Sequence, residues 1–153
     1  DNSALYKSYS LPKNLSDARH YLLVFDKRTG LQKVVMTSEN INDDAYGSIG
    51  QERFEALKET LSLKYGFPSD GMESVGNQVY EEEDQFYECV MHLGCGLWMA
   101  IWRHEGGTYV LQLEGLGRGL GYILFTAEGA GFVAESKQNR QIERSSDADA
   151  PPY

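Results

Sequence analysis

The most regular pattern of apolar and polar positions runs from residue 48 to residue 68. Phe54, Leu57, Leu61 and Tyr65 recur at helical spacing, and Glu52, Glu55, Lys58, Glu59 and Lys64 fill the other face. The pattern predicts a helix capped by Ser48, with Gln51 completing a capping box, and stopped at Gly66, beyond which Pro68 blocks resumption. Upstream, Tyr21-Leu22-Leu23-Val24-Phe25 and the run from Leu31 to Met36 are β-rich segments joined by the charged turn Asp26 to Gly30. This is a hairpin in which Gly30 supplies positive φ. Between hairpin and helix, Asn40, Asn42, Asp43, Asp44 and Gly47 are loop chemistry.

Residues 1–19, with Pro12, Asn14, Ser16 and Asp17, show no sustained period and read as an irregular arm; residues 69–82 are also poorly patterned. From Glu83 to Leu93 the spacing of Phe86, Val90 and Leu93 predicts a second, short helix. The acids Glu81 to Asp84 stand at its positive end and Gly94 at its stop. Three strands follow, Leu97 to Arg103, Thr108 to Leu113 and Tyr122 to Thr126, joined by glycine-bearing turns in a meander. Residues 132–145 are a candidate final helix and 146–153 a frayed tail. The order β-β-α-α-β-β-β predicts an α+β domain over residues 20–145. Its five-stranded, largely antiparallel sheet carries both helices on one face.

Charge narrows the partners. The formal net charge of -9 and pI of about 4.8 repel a phosphate backbone, and the Lys and Arg residues form no local patch, so no nucleic-acid partner is expected. The acidity serves solubility or marks a face that docks a basic partner. No apolar run reaches the roughly 18 to 20 residues of a membrane helix, so no membrane insertion is expected. The chain starts at Asp1 in place of Met, which fits a removed export signal or a trimmed chain.

Few residues invite chemistry, and no cofactor is expected. Gly115-Leu116-Gly117-Arg118-Gly119-Leu120-Gly121 resembles a phosphate loop, but a strand follows it where a helix N-terminus is needed, so a tight turn with close backbone packing is the better account. Cys89, His92 and Cys95 are spaced C-x2-H-x2-C. A structural zinc site wants four ligands, and only His20, His104 or a distant carboxylate is left as the fourth, so no metal is expected. The two cysteines instead form a Cys89–Cys95 disulfide or lie as free core residues. There is no G-x-S-x-G elbow and no H-E-x-x-H helix, and no carboxylate pair stands out among the 23 acidic residues, so no catalytic residue is assigned. Trp98 and Trp102 share one face of their strand, opposite Leu97, Met99 and Ile101. A strand apolar on both faces needs cover on both. Either the tryptophans are core beneath the helices, which is the plainer account, or they anchor a partner.

The arrangement resembles a family of small, uncharacterised bacterial α+β proteins often made with an export signal. The likeness lies in Thr29-Gly30, Asp44-Ala45-Tyr46-Gly47 before the long helix, Lys64-Tyr65-Gly66 with Pro68, Glu83-Asp84, the tryptophan strand and Gly119-Leu120-Gly121-Tyr122. It implies a periplasmic or secreted setting and brings no functional residues with it; the cysteine pair stands outside its pattern. The expected function is that of a non-enzymatic envelope protein that binds a protein partner, as an inhibitor or immunity factor would. The candidate interface is Trp98, Trp102, Glu81, Glu82, Glu83 and Asp84. The alternatives are a small enzyme using carboxylates beside Glu81 to Asp84, and an acidic decoy of a nucleic-acid-binding protein.

Overall fold

A computed structural model describes residues 3–12, 14, 15, 17–77 and 79–130. The elements in chain order are β1 (Ser3–Ser8), β2 (Ala18–Asp26), β3 (Gly30–Ser38), α1 (Ser48–Tyr65) and β4 (Asp70–Ser74). A 3-10 turn (Glu83–Gln85) then runs into α2 (Phe86–Met91), followed by β5 (Leu97–His104), β6 (Gly107–Gly117) and β7 (Leu120–Gly129). Among the described residues these form one seven-stranded sheet, ordered β1-β2-β3-β7-β6-β5-β4, with every neighbouring pair antiparallel.

The α+β class and the antiparallel sheet are as expected, but the strand count is seven, not five. Both additions are edge strands. β1 comes from the segment expected to be an irregular arm, and β4 from the poorly patterned stretch before the second helix. Leu5 and Tyr6 of β1 are exposed, as are Asp70 to Glu73 of β4, because an edge strand is covered on fewer sides and its sequence need not alternate. The candidate helix over residues 132–145 and the tail over 146–153 lie outside the described residues.

Both helices lie on one face of the sheet. The α1 stripe of Gly50, Phe54, Leu57 and Leu61 is buried, and with Phe86 and Tyr87 of α2 it meets Ala100, Trp102, Leu111, Leu113, Ile123 and Phe125 in the core. The opposite face carries Leu22, Val35, Met99, Ile101, Val110 and Leu124, all half-buried. This alternation follows from the strand period of two, which puts Ala100 opposite Leu111 and Leu111 opposite Phe125 across the sheet.

The helix ends correct two expectations. Ser48 does not cap α1. Gly47 precedes the helix at φ 76°, a left-handed conformation that brings the chain back over Asp44, whose carboxylate accepts hydrogen bonds from the amides of Ile49 (3.0 Å) and Gly50 (2.9 Å). The C-terminal stop at Gly66 is as expected, with its amide donating to Ser62 O. α2 is shorter than the periodicity suggested and differently phased. It ends at Met91, its buried residues are Phe86, Tyr87 and Cys89, and Leu93 is 97% exposed. The 3-10 entry rotates the helix so that Tyr87 faces the sheet, where Gly115 and Gly121 leave no side chain in its way. That contact is the close backbone packing expected of the glycine-rich corner, now seen as the β6–β7 turn and the strand ends beside it.

Candidate functional site

The two cysteines form a disulfide, with their Cα atoms 5.1 Å apart. Cys89 sits on α2 and Cys95 in the turn before β5, so the bridge closes the short loop between them. It also serves as a post for the segment after β4. The Gly76 amide donates to Cys89 Sγ at 3.1 Å, and the Asn77 amide donates to the Cys95 carbonyl at 3.1 Å. The Val79 carbonyl oxygen lies 2.9 Å from Cys95 Sγ, a sulfur–oxygen approach made without a thiol proton. The thiolates that a zinc site would use are therefore spent, and His92 instead sets its ring edge-on to Tyr80 at 5.9 Å.

The segment held in this way forms one wall of a groove of about 340 Å³. Val75 and Tyr80 line that wall, Tyr46 stands opposite at the entry of α1, and Phe86 and Cys89 form the apolar floor. Glu81, Glu82 and Glu83 line the groove from its rim and are exposed. Tyr80 takes a left-handed backbone conformation, φ 45°, uncommon for a residue with a side chain. Glu81 to Glu83 follow it directly in the chain.

The electrostatics of the groove are one-signed. No ion pair reaches Glu81, Glu82 or Glu83 among the described residues. Arg118 pairs with Asp84, next in the chain after Glu83, at 2.5 Å, and Arg53 approaches Asp17 at 4.0 Å. The positive end of α1 is answered by Asp44, which is itself buried. The Glu82 carboxylate also accepts from the Gln85 amide as the cap of the 3-10 turn, and with Glu81 and Glu83 it sets the field in the groove.

The residues singled out in the sequence thus separate. Glu81, Glu82 and Glu83 come together on the groove, whereas Asp84 is half-buried and committed to Arg118. Trp98 and Trp102 share a face, as their spacing required, but that face lies beneath the helices. Trp102 is 0% exposed and its indole N–H donates to Gly66 O at 2.9 Å, while Trp98 packs edge-on against Phe86 at 5.4 Å. Trp102 offers no surface to a partner and is set aside as an interface residue; Trp98 is half-buried and borders the groove floor only through Phe86. Tyr46 entered the sequence reading only within Asp44-Ala45-Tyr46-Gly47, with no binding role, and Tyr80 not at all. The adjacency Tyr80-Glu81-Glu82-Glu83 was the one available signal, and nothing local links it to Tyr46.

Comparison of the chain with protein-family models, with curated proteins and with solved structures finds no match in any of the three. The groove must therefore be read from its own chemistry. Aromatic rings and carboxylates together favour a cation: the ring faces attract it through their quadrupoles and the carboxylates by charge. They disfavour phosphate and nucleic acid. No helix among the described residues is long and apolar enough to cross a membrane.

Proposed function

We propose that this chain is a non-enzymatic binding protein of the bacterial envelope, recognising a protein partner as an inhibitor or immunity factor does. The observation that carries the reading is the groove. An apolar, aromatic-walled depression is rimmed by three glutamates without ion-pair partners among the described residues, and one of its walls is fastened by a disulfide. Preformed concavity and uncompensated charge of one sign are what a docking surface for a basic partner requires, since long-range attraction speeds encounter and apolar contact holds the complex. A disulfide is compatible with an oxidising compartment such as the periplasm or the exterior, and the resemblance to exported bacterial proteins points the same way.

The test compares immobilised wild-type protein with a Glu81→Lys/Glu83→Lys variant in envelope extract from the producing bacterium. The reading expects one partner retained in near-stoichiometric amount by the wild type and lost from the variant. Equal retention on both, or none on either, would sink it.

A further inference from the structure

Resting on that reading, we infer that the groove is a receptor for a single basic side chain, lysine or arginine, presented by an exposed segment of the partner protein. The volume of about 340 Å³ stands at the small end of ligand pockets, which start at roughly 300 Å³. That is room for one long side chain and its flanking backbone, not for a helix or a folded edge. The two halves of such a side chain match the two halves of the groove. Its methylene stem is apolar and meets Val75, Phe86, Tyr46 and Tyr80. Its cationic head reaches the rim, where Glu81, Glu82 and Glu83 stand in solvent.

Charge complementarity selects this occupant over the others. A second copy of the chain brings the same net charge of -9 to the encounter. A nucleic acid or phosphate ligand meets three carboxylates. A neutral apolar segment gains the floor but leaves the carboxylates unused. The cation is the one occupant for which walls and rim both contribute. Its head group remains partly solvated at the rim, which keeps desolvation small and places the gain in the combination of ring contact and charge.

The decisive experiment is a titration of the ¹⁵N-labelled full chain followed by NMR. The probe is an acetylated, amidated glycine–serine heptapeptide with one central lysine; an arginine twin is run beside it, with a glutamine twin as the control. The inference expects saturable shifts confined to the amides of Gly47, Val75, Gly76 and Tyr80 to Phe86. Affinity for the lysine and arginine peptides should fall about tenfold in Glu81→Gln/Glu83→Gln. In Glu55→Gln/Glu59→Gln, which removes the same charge from the outer face of α1, it should stay within about twofold. Three results would overturn it: shifts spread over the acidic surface with equal loss in both variants, a glutamine peptide that binds as well as the lysine peptide, or groove amides that move with protein concentration alone. The outcome is separable from that of the broader proposal. If the peptides fail while a Glu81-dependent protein partner is still retained from extract, protein recognition stands and the single-side-chain receptor falls; if the peptides bind and no partner is retained, the reverse holds.

Discussion

The hydroxyl of Tyr87 on α2 donates a 2.7 Å hydrogen bond to Oδ2 of Asp44, the carboxylate that also receives the first amides of α1. One buried acid therefore joins the two helices and serves as the cap of the longer one. The contact needs Gly50, where any side chain would overlap the Tyr87 hydroxyl, and it needs Gly121, where one would overlap the Tyr87 ring. Burial, then the bond to Asp44 and its charge, push the Tyr87 phenol upward, so it stays a donor across the neutral range.

This relationship predicts an order of stabilities. Asp44→Ala strands two helix amides and a buried hydroxyl and should cost about 3 kcal/mol. Tyr87→Phe leaves Asp44 with both amides and should cost about 1 to 2 kcal/mol, with the double variant losing less than the sum. Ser48→Ala should change stability by no more than about 0.5 kcal/mol. Urea unfolding of the four proteins reads all of this; a Ser48→Ala loss matching that of Asp44→Ala would return the cap to Ser48.

Reduction tests both stability and function through the Cys89–Cys95 bridge. A disulfide closing so short a loop constrains the unfolded chain by about 2 to 3 kcal/mol, which for a domain of this size is a fall of roughly 5 to 10 °C in Tm. The groove wall hangs on both half-cystines, so Cys89→Ala/Cys95→Ala should also weaken binding of the lysine peptide. A thiol count of the unfolded, unreduced protein comes first: two free thiols would remove the prediction.

Trp102 and Trp98 should behave as core and margin. Trp102→Phe removes a buried indole and leaves Gly66 O without its donor, a cost of about 2 to 3 kcal/mol. Trp98→Phe loses only part of a half-buried contact with Phe86 and should cost about 1 kcal/mol or less. With Trp98→Phe, Trp102 is the single tryptophan, and its emission, excited beyond the tyrosine absorption band, should be blue-shifted and shielded from acrylamide. Red-shifted, readily quenched emission would contradict its place in the core.

How much of this was legible in the sequence follows from how far each signal depends on neighbours in the chain. The α1 stripe, the Gly66 stop and the three late strands are local patterns, and they were readable. β1 and β4 escaped because Leu5, Tyr6 and Met72 lie on sheet edges, exposed enough that no alternation was imposed. The phase of α2 escaped because Leu93 sits at helical spacing from Phe86 and Val90, yet the chain has already left the helix toward the disulfide. The candidate groove was half legible. The run Glu81 to Glu83 was visible as charge, but the wall opposite comes from Tyr46, brought there by α1, and only the folded chain joins them.

Glu114 supplies a pH test that does not depend on the groove. It lies on β6 opposite Tyr122 of β7, and burial holds its carboxyl above the ordinary carboxylate range. The native chain therefore keeps this proton after the unfolded chain has released it. Stability falls as pH rises from about 4.3, the unfolded value, through the raised native one. The cost of ionised Glu114 is absent below that window and fully present above it. Glu114→Gln should leave stability unchanged at pH 3 and raise it modestly at pH 7, the gain kept small by the partial solvent exposure of the group. The same substitution should lower the Tyr122 titration without returning it to normal, since burial raises that phenol first and the charge of Glu114 second. Denaturation across the pH range, with a spectrophotometric tyrosine titration, checks both. Stabilisation of equal size at pH 3 and pH 7 would show that Gln packs better, and would detach the effect from ionisation of Glu114.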